Sequence, residues 1–223
     1  VADYLLVMAR TEKNVARRSD GISLFFVPRH SEGITISPLP KLGMRAMSSC
    51  TVVMDQVFVS DDLLLGEPGR GWYQSTKTLN NERLINAATC LGMLDGVLED
   101  ATEYMSNRTA FGKPIGQFQA LQHYLADIAM WQKQGELMLF HTARLQADEQ
   151  PSAVESGMVK IICSEYANRA ADLGIQILGG MGYSAETDMQ RYWRDSRLLR
   201  LGPISNEMAR NMIAESYGMP RSF

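Results

Sequence analysis

A chain of 223 residues with 45% hydrophobic content is long enough for one large or two modest cores, which argues against disorder. The formal charge of −3 comes from scattered Lys, Arg, Asp and Glu instead of blocks, so nothing points to nucleic acid. Three cysteines, Cys50, Cys90 and Cys163, are odd in number and lack C-x-x-C spacing, which excludes a disulfide framework or a zinc site as the organising principle and fits a reducing compartment.

The chain opens without Met, directly on the strand-like Tyr4-Leu5-Leu6-Val7-Met8, and reads as cut from something longer, although a processed start would look the same. No run of about 18 apolar residues is present to cross a bilayer. Short β-type runs follow at Tyr4–Ala9, Ser23–Val27, Gly33–Ser37 and Thr51–Val59, rich in Val, Ile, Phe and Thr. Between them lie Asp20-Gly21, Pro28, Glu32-Gly33 and Pro38 to Pro40, residues that accept positive φ or fix φ. One compact antiparallel sheet is the simplest expectation.

After Gly66-Glu67-Pro68-Gly69 the period changes. Leu84, Ala88, Leu91, Leu94, Leu98, Ala101 and Met105 step by three or four, predicting a helix from about Trp72 to Ser106. A second stripe uses Tyr124, Ile128, Trp131, Gly135 and Met138, and a third Val159, Ile162, Tyr166, Ala170, Leu173 and Ile177. Ser152 and Glu155 have the S-x-x-E form of a capping box for the third helix, which Gly179-Gly180-Met181-Gly182 breaks. Shorter helices are expected at 187–199 and 204–215. The fold class is therefore α+β by segregation: a partial antiparallel β-domain over 1–66, then an antiparallel four-helix bundle over 67–223.

Five stretches in order, Lys41-Leu42-Gly43-Met44-Arg45, Asp62-Leu63-Leu64-Leu65-Gly66, Arg108-Thr109-Ala110-Phe111-Gly112, Leu178-Gly179-Gly180-Met181-Gly182-Tyr183 and Arg194-Asp195, resemble the acyl-CoA dehydrogenase family over nearly the whole chain. The resemblance implies an enzyme with an N-terminal helical domain, a middle β-domain and a C-terminal bundle, of which this chain holds the later part. It implies FAD as cofactor, an acyl-CoA substrate, an electron-transferring flavoprotein as redox partner, and a homodimer or homotetramer with flavin between subunits. The expected location is the bacterial cytoplasm, or the mitochondrial matrix in a eukaryote.

Carried over residue by residue, the resemblance assigns Arg108 to the flavin diphosphate across a dimer interface, a role suited to a planar, always charged guanidinium. Phe111 packs nearby, and Gln119 matches a residue at the adenosine half. Gln176 to Gly180 resembles the segment laid against the partner's flavin. Gly179 and Gly180 would allow that close approach, and a Gly-Gly after a helical stripe is also an ordinary helix stop. Ser205 and Glu207 match cofactor-touching positions, while Arg45, Ser48 and Ser49 match positions near acyl-CoA or flavin, with an exposed loop as the alternative.

In most of the family the base that removes the α-proton is a glutamate shortly after the Arg-Asp pair. Alignment on Arg194-Asp195 puts Pro203 there, and proline takes no proton. The isovaleryl-CoA and long-chain branches draw the base from the first bundle helix within E-R-L, matched here by Glu82-Arg83-Leu84. Glu82 is thus the expected catalytic base, with Arg83, Asn80 and Gly202 on the substrate side. Such a carboxylate works near neutral pH once apolar surroundings and substrate raise its proton affinity. Pro203 also lacks the backbone N–H that would polarise the thioester carbonyl, a loss of about 3 kcal/mol unless another donor such as the Ile204 N–H replaces it.

Two other readings compete: a reductase of the same fold running the reaction backwards, and a non-catalytic oligomerising bundle. His123 and Asp127 share a helical face without a third ligand, and His30 and His141 stand alone, so no metal site is expected.

Overall fold

The computed structural model describes residues 2–221. Its internal contacts divide the chain into two units, Val1–Lys41 with Arg45–Leu79, and Leu42–Met44 with Asn80–Phe223.

In the first unit, strands β1 (Tyr4–Arg10), β2 (Ile22–Pro28) and β5 (Leu64–Leu65) form an antiparallel sheet in the order β1-β2-β5, with Tyr4 opposite Pro28 and Leu24 opposite Leu65. The connection from β1 to β2 closes on itself because the Arg10 guanidinium collects the carbonyls of Arg18 and Asp20 at 2.6 and 3.0 Å. Leu24 and Val27 are the buried apolar side chains here, and the buried Ser23 hydroxyl accepts from the Gly69 N–H at 2.8 Å. Strands β3 (Ile34–Pro38) and β4 (Cys50–Met54) make a separate two-stranded sheet, so the single expected sheet is in fact two small ones. The predicted run to Val59 stops short: Asp55 still donates to the Gly33 carbonyl as a last rung beyond Met54, and Gln56 then takes a φ of 51°, which ends the extended backbone.

The second unit is helical. Helices α1 (Gly71–Asn107), α2 (Gln119–Ala147) and α3 (Ala153–Leu178) are long, α4 (Gly180–Tyr183) is one turn, and α5 (Met189–Leu199) and α6 (Asn206–Ser216) complete the unit; the first turns of α1 belong to the first unit. Between α1 and α2 lies a minimal hairpin of β6 (Thr109–Ala110) and β7 (Lys113–Pro114). Leu94 and Val97 of α1, Ile128 of α2, Val159 and Ala167 of α3 and Met189 of α5 belong to one continuous core and have no exposed surface. On α1 the buried stripe runs through Ala87 and Cys90, one step from the expected Ala88, which is exposed; the thiol serves as a small hydrophobe. The core buries α3 on nearly every side. Its Ala167, Ala170, Ala171 and Gly174 are all buried, and Tyr166 stacks on Trp131 of α2 at 5.5 Å between ring centroids.

The capping box expected at Ser152 and Glu155 does not form. Ser152 is the N-cap, but its ψ of 12° departs from the extended backbone that aims a hydroxyl at the first-turn amides, and its side chain caps nothing. Gly179 ends α3 with a φ of 61°. Two of the family-like stretches meet in this unit. Asp195 accepts from the Met44 N–H at 2.5 Å, and Arg194 donates to the Leu42 carbonyl at 3.2 Å. A Cβ on Gly43 would fall 2.6 Å from the Arg194 carbonyl oxygen, so only glycine fits between them.

Candidate active site

Two groups of the expected site residues gather in the helical unit. The first lies along the early turns of α1. Arg83 is only 6% exposed; its guanidinium donates to Asn80 Oδ1 at 3.2 Å and reaches the Met212 sulfur of α6 at 3.6 Å. Burial holds this guanidinium below its ordinary pKa, with Glu82 pulling the other way. One turn on, Asn86 Nδ2 donates to the Gly202 carbonyl at 2.9 Å. Glu82 is exposed and precedes Asn86 by four residues, so the two are neighbours on the helix surface. The bond from Asn86 therefore draws the turn carrying Glu82 to the loop carrying Pro203.

That loop has a definite shape. The Leu201 and Gly202 amides donate to the Leu198 carbonyl at 2.8 and 3.1 Å, and the Asn206 amide donates to the Arg200 carbonyl at 3.1 Å. The Gly202–Pro203 peptide is cis. Among the described residues the Ile204 amide has no acceptor. Ser205 is the N-cap of α6, its hydroxyl accepting from the Met208 N–H at 3.2 Å. Glu207, in the first turn, is held below the ordinary carboxylate range, chiefly by its own backbone amide and then by the Ser205 hydroxyl.

The second group surrounds a cavity of about 450 Å³ lined by Tyr104, Arg108, Ile115, Ile177 and the backbone of Gly179 and Gly180. Arg108 is exposed just past the end of α1, and a Cβ built on either glycine would meet nothing within 4 Å. This donor set, one permanent cation beside backbone free of side chains, suits the diphosphate end of a dinucleotide such as FAD.

The remaining expected residues are scattered. Phe111 stands 95% exposed on the hairpin with a φ of 53°, edge-on to Phe118, and does not line the Arg108 cavity. Gln119 is the exposed first residue of α2, and Gln176 is exposed on α3. Arg45 and Ser48 are exposed in the first unit, and the Ser49 carbonyl accepts from the Leu39 N–H at 2.8 Å. His123 and Asp127 lie on α2, and among the described residues no three metal-ligating side chains cluster. Asn86 and the buried pair Lys160 and Asn206 were not anticipated. The signal for Lys160 was present: a lysine inside the apolar run Met158-Val159-Lys160-Ile161-Ile162.

A small β-unit followed by a bundle of long helices, with a cation beside bare glycine backbone, defines a mixed β-then-helical-bundle class of protein. Family profiles described as "Acyl-CoA dehydrogenase, middle domain" and "Acyl-CoA dehydrogenase, C-terminal domain" match residues 1–57 and 69–218. The chain is 36% identical over 214 residues to the mitochondrial short-chain specific acyl-CoA dehydrogenase of Mus musculus, covering 96% of this chain and 52% of that protein. A probable acyl-CoA dehydrogenase of Escherichia coli is also 36% identical, over 206 residues, covering 92% and 53%. Among solved structures, an acyl-CoA dehydrogenase from Geobacillus kaustophilus superimposes with a TM-score of 0.95 at 29% identity, covering 98% of this chain and 58% of that one. Butyryl-CoA dehydrogenase from Megasphaera elsdenii gives 0.91 at 29% over 98% and 57%, and the FAD complex of PigA 0.91 at 25% over 98% and 57%. The chain belongs to the acyl-CoA dehydrogenase family. It spans about half the length of the curated relatives it matches.

Proposed function

We propose that the protein, in its full-length form, carries out FAD-dependent α,β-dehydrogenation of an acyl-CoA thioester to 2-enoyl-CoA, with Glu82 as the base that takes the α-proton. The observation that carries this reading is the 2.9 Å bond from Asn86 to the Gly202 carbonyl. Glu82 sits one turn from Asn86, and Pro203 directly follows Gly202, so a carboxylate on α1 can serve the space that a glutamate at position 203 would otherwise serve.

Bound FAD supplies the acceptor for the β-hydride at its N5. The chain's own part is positional and acid–base. The Glu82 carboxylate, accessible from solvent before substrate arrives, accepts the proton from Cα. Arg83, buried between Asn80 and Met212, fixes α1 against α6 at this level. With no N–H on Pro203, the free Ile204 amide is the backbone donor for the thioester carbonyl, a contact worth about 3 kcal/mol of barrier in comparable sites. Ser205 and Glu207 hold the subunit's own cofactor, whereas Arg108, Gly179 and Gly180, with Gln176, Gln119 and Phe111 nearby in sequence, serve a neighbouring subunit's cofactor in a homodimer or homotetramer. An electron-transferring flavoprotein reoxidises the enzyme, in the bacterial cytoplasm or the mitochondrial matrix.

The test is anaerobic mixing of the full-length flavoprotein with straight and branched acyl-CoAs while visible flavin absorbance is followed. Wild type bleaches with at least one thioester, and Glu82→Gln bleaches about 10²- to 10⁴-fold more slowly. Bleaching of Glu82→Gln at the wild-type rate, at equal flavin content, would remove Glu82 from the mechanism.

A further inference from the structure

Lys160 is the largest side chain without exposed surface among the described residues, and the reaction proposed above makes no use of it. Its ammonium donates to Asn206 Oδ1 at 2.7 Å. Asn206 is 1% exposed and is the first residue of α6. The Asn206 amide nitrogen in turn donates to Ser164 Oγ at 3.1 Å and Glu165 Oε1 at 3.4 Å, and Arg210 closes on the same Glu165 oxygen at 2.5 Å. Two consecutive turns of α3 therefore grip a single asparagine, and that asparagine ends the loop holding Gly202, Pro203, Ile204 and Ser205.

Burial makes a cation costly here. Burial pushes the Lys160 ammonium down to about 8 from its ordinary 10.5, helped by Arg200 and Arg210 and opposed by Cys90 of α1 and Glu207 of α6. Replacing a buried charge by an apolar side chain of similar length is often neutral or stabilising. What the ammonium provides is a charge-assisted hydrogen bond, shorter and stronger than a neutral donor would give. The Asn206 backbone N–H simultaneously ties the loop's end to the Arg200 carbonyl.

We infer that Lys160 is a positioning residue, a buried post that fixes the loop 201–206 through Asn206 and thereby sets the Ile204 N–H and Ser205 in register with Glu82. Its catalytic consequence rests on the reaction proposed above; its structural consequence does not. Lacking the donor that a residue other than proline would supply at 203, the loop depends on a neighbouring amide being correctly aimed, and a displacement of about 1 Å can cost on the order of a hundredfold in rate.

The experiment uses full-length, flavin-loaded wild type, Lys160→Met, Asn206→Ala and the double variant. Hydrogen exchange is read at the Leu201, Gly202 and Asn206 amides, which tie the loop to the Leu198 and Arg200 carbonyls at the end of α5, alongside thermal unfolding and anaerobic flavin bleaching. Each single variant is expected to exchange about tenfold faster at these three amides, with mid-α3 amides unchanged and the double variant no faster than either single. Bleaching slows by about tenfold or more while KM stays near wild type. Wild-type exchange at the three amides in Lys160→Met overturns the inference, as does acceleration spread evenly over α3 and α6 with additive singles. Wild-type bleaching in Lys160→Met overturns it as well. If wild type itself fails to bleach with any thioester, the proposed reaction falls, and the exchange pattern still decides whether Lys160 positions the loop.

Discussion

Replacing Lys160 by Met should leave the fold as stable as before or more so, and the expected size follows from the charge. A fall from 10.5 to about 8 is about 2.5 pKa units, or about 3 kcal/mol by which the folded state disfavours the protonated amine at neutral pH. Methionine removes that cost. It also deprives buried Asn206 Oδ1 of its charged donor at 2.7 Å, leaving the Ser164 hydroxyl at 3.2 Å, a loss of about 1–3 kcal/mol. The net change is therefore between about zero and 2 kcal/mol in favour of Lys160→Met, a melting temperature unchanged or raised by a few degrees. The sign with pH is fixed. Because the folded pKa lies below the unfolded one, the unfolded chain binds more protons between pH 8 and 10.5, and the Lys160 contribution to stability rises across that window. The buried Cys90 and Cys163 thiols act oppositely above pH 9, since burial pushes both up; Cys163 cancels in the difference, whereas Cys90, which the Lys160 ammonium pulls down, is pushed up further in the variant, so the comparison is read at pH 9 and below. Thermal or denaturant unfolding of wild type and variant across this pH range is the assay. The advantage of Lys160→Met should shrink as pH rises through 8. A variant destabilised by more than about 1 kcal/mol at neutral pH would show that the ammonium is a net stabiliser and refute the reasoning.

Arg108→Ala should fold normally yet retain less flavin, measured as the flavin-to-protein ratio after gel filtration, because the cavity at Gly179 and Gly180 would lose its cation. An unchanged ratio would place the cofactor elsewhere. Leu94→Ala, at a position with no exposed surface in the bundle core, should cost about 2–5 kcal/mol in denaturant unfolding, and a cost below about 1 would contradict the packing described. Ser205→Ala should cost about 1 kcal/mol through loss of the cap on the Met208 amide, and no loss would mean that the hydroxyl is not the cap.

Periodicity carried most of the fold. The stripes of α1, α2 and α3 are written at intervals of three or four because each helix buries a face, and the bounds of α1 fall within a residue of those expected. Other features depend on geometry that side-chain identity does not encode. Nothing in Gln56 announces a positive φ, so the end of β4 was placed too late. Ser152 and Glu155 carry the right letters for a capping box, but the backbone at Ser152 turns the hydroxyl away. The candidate site is written locally where a family-like motif is contiguous, as in Glu82-Arg83-Leu84, and is not written where tertiary approach makes a contact. Asn86 is bonded to the Gly202 carbonyl and Lys160 to Asn206 across 116 and 46 residues of sequence, separations that no local pattern records. Phe111, a motif neighbour of Arg108, is 95% exposed on its own hairpin, a placement the motif itself does not write.

The central claim is that the Glu82 turn of α1 and the Pro203 loop face one reaction space. Moving the carboxylate tests it most directly: Glu82→Gln and the double variant Glu82→Gln with Pro203→Glu are compared with wild type by anaerobic flavin bleaching in the full-length protein. The account predicts that the single variant is slow by about 10²- to 10⁴-fold and that the double recovers a substantial part of the rate, because the new glutamate occupies the neighbouring position. Wild-type bleaching by Glu82→Gln alone would contradict the account.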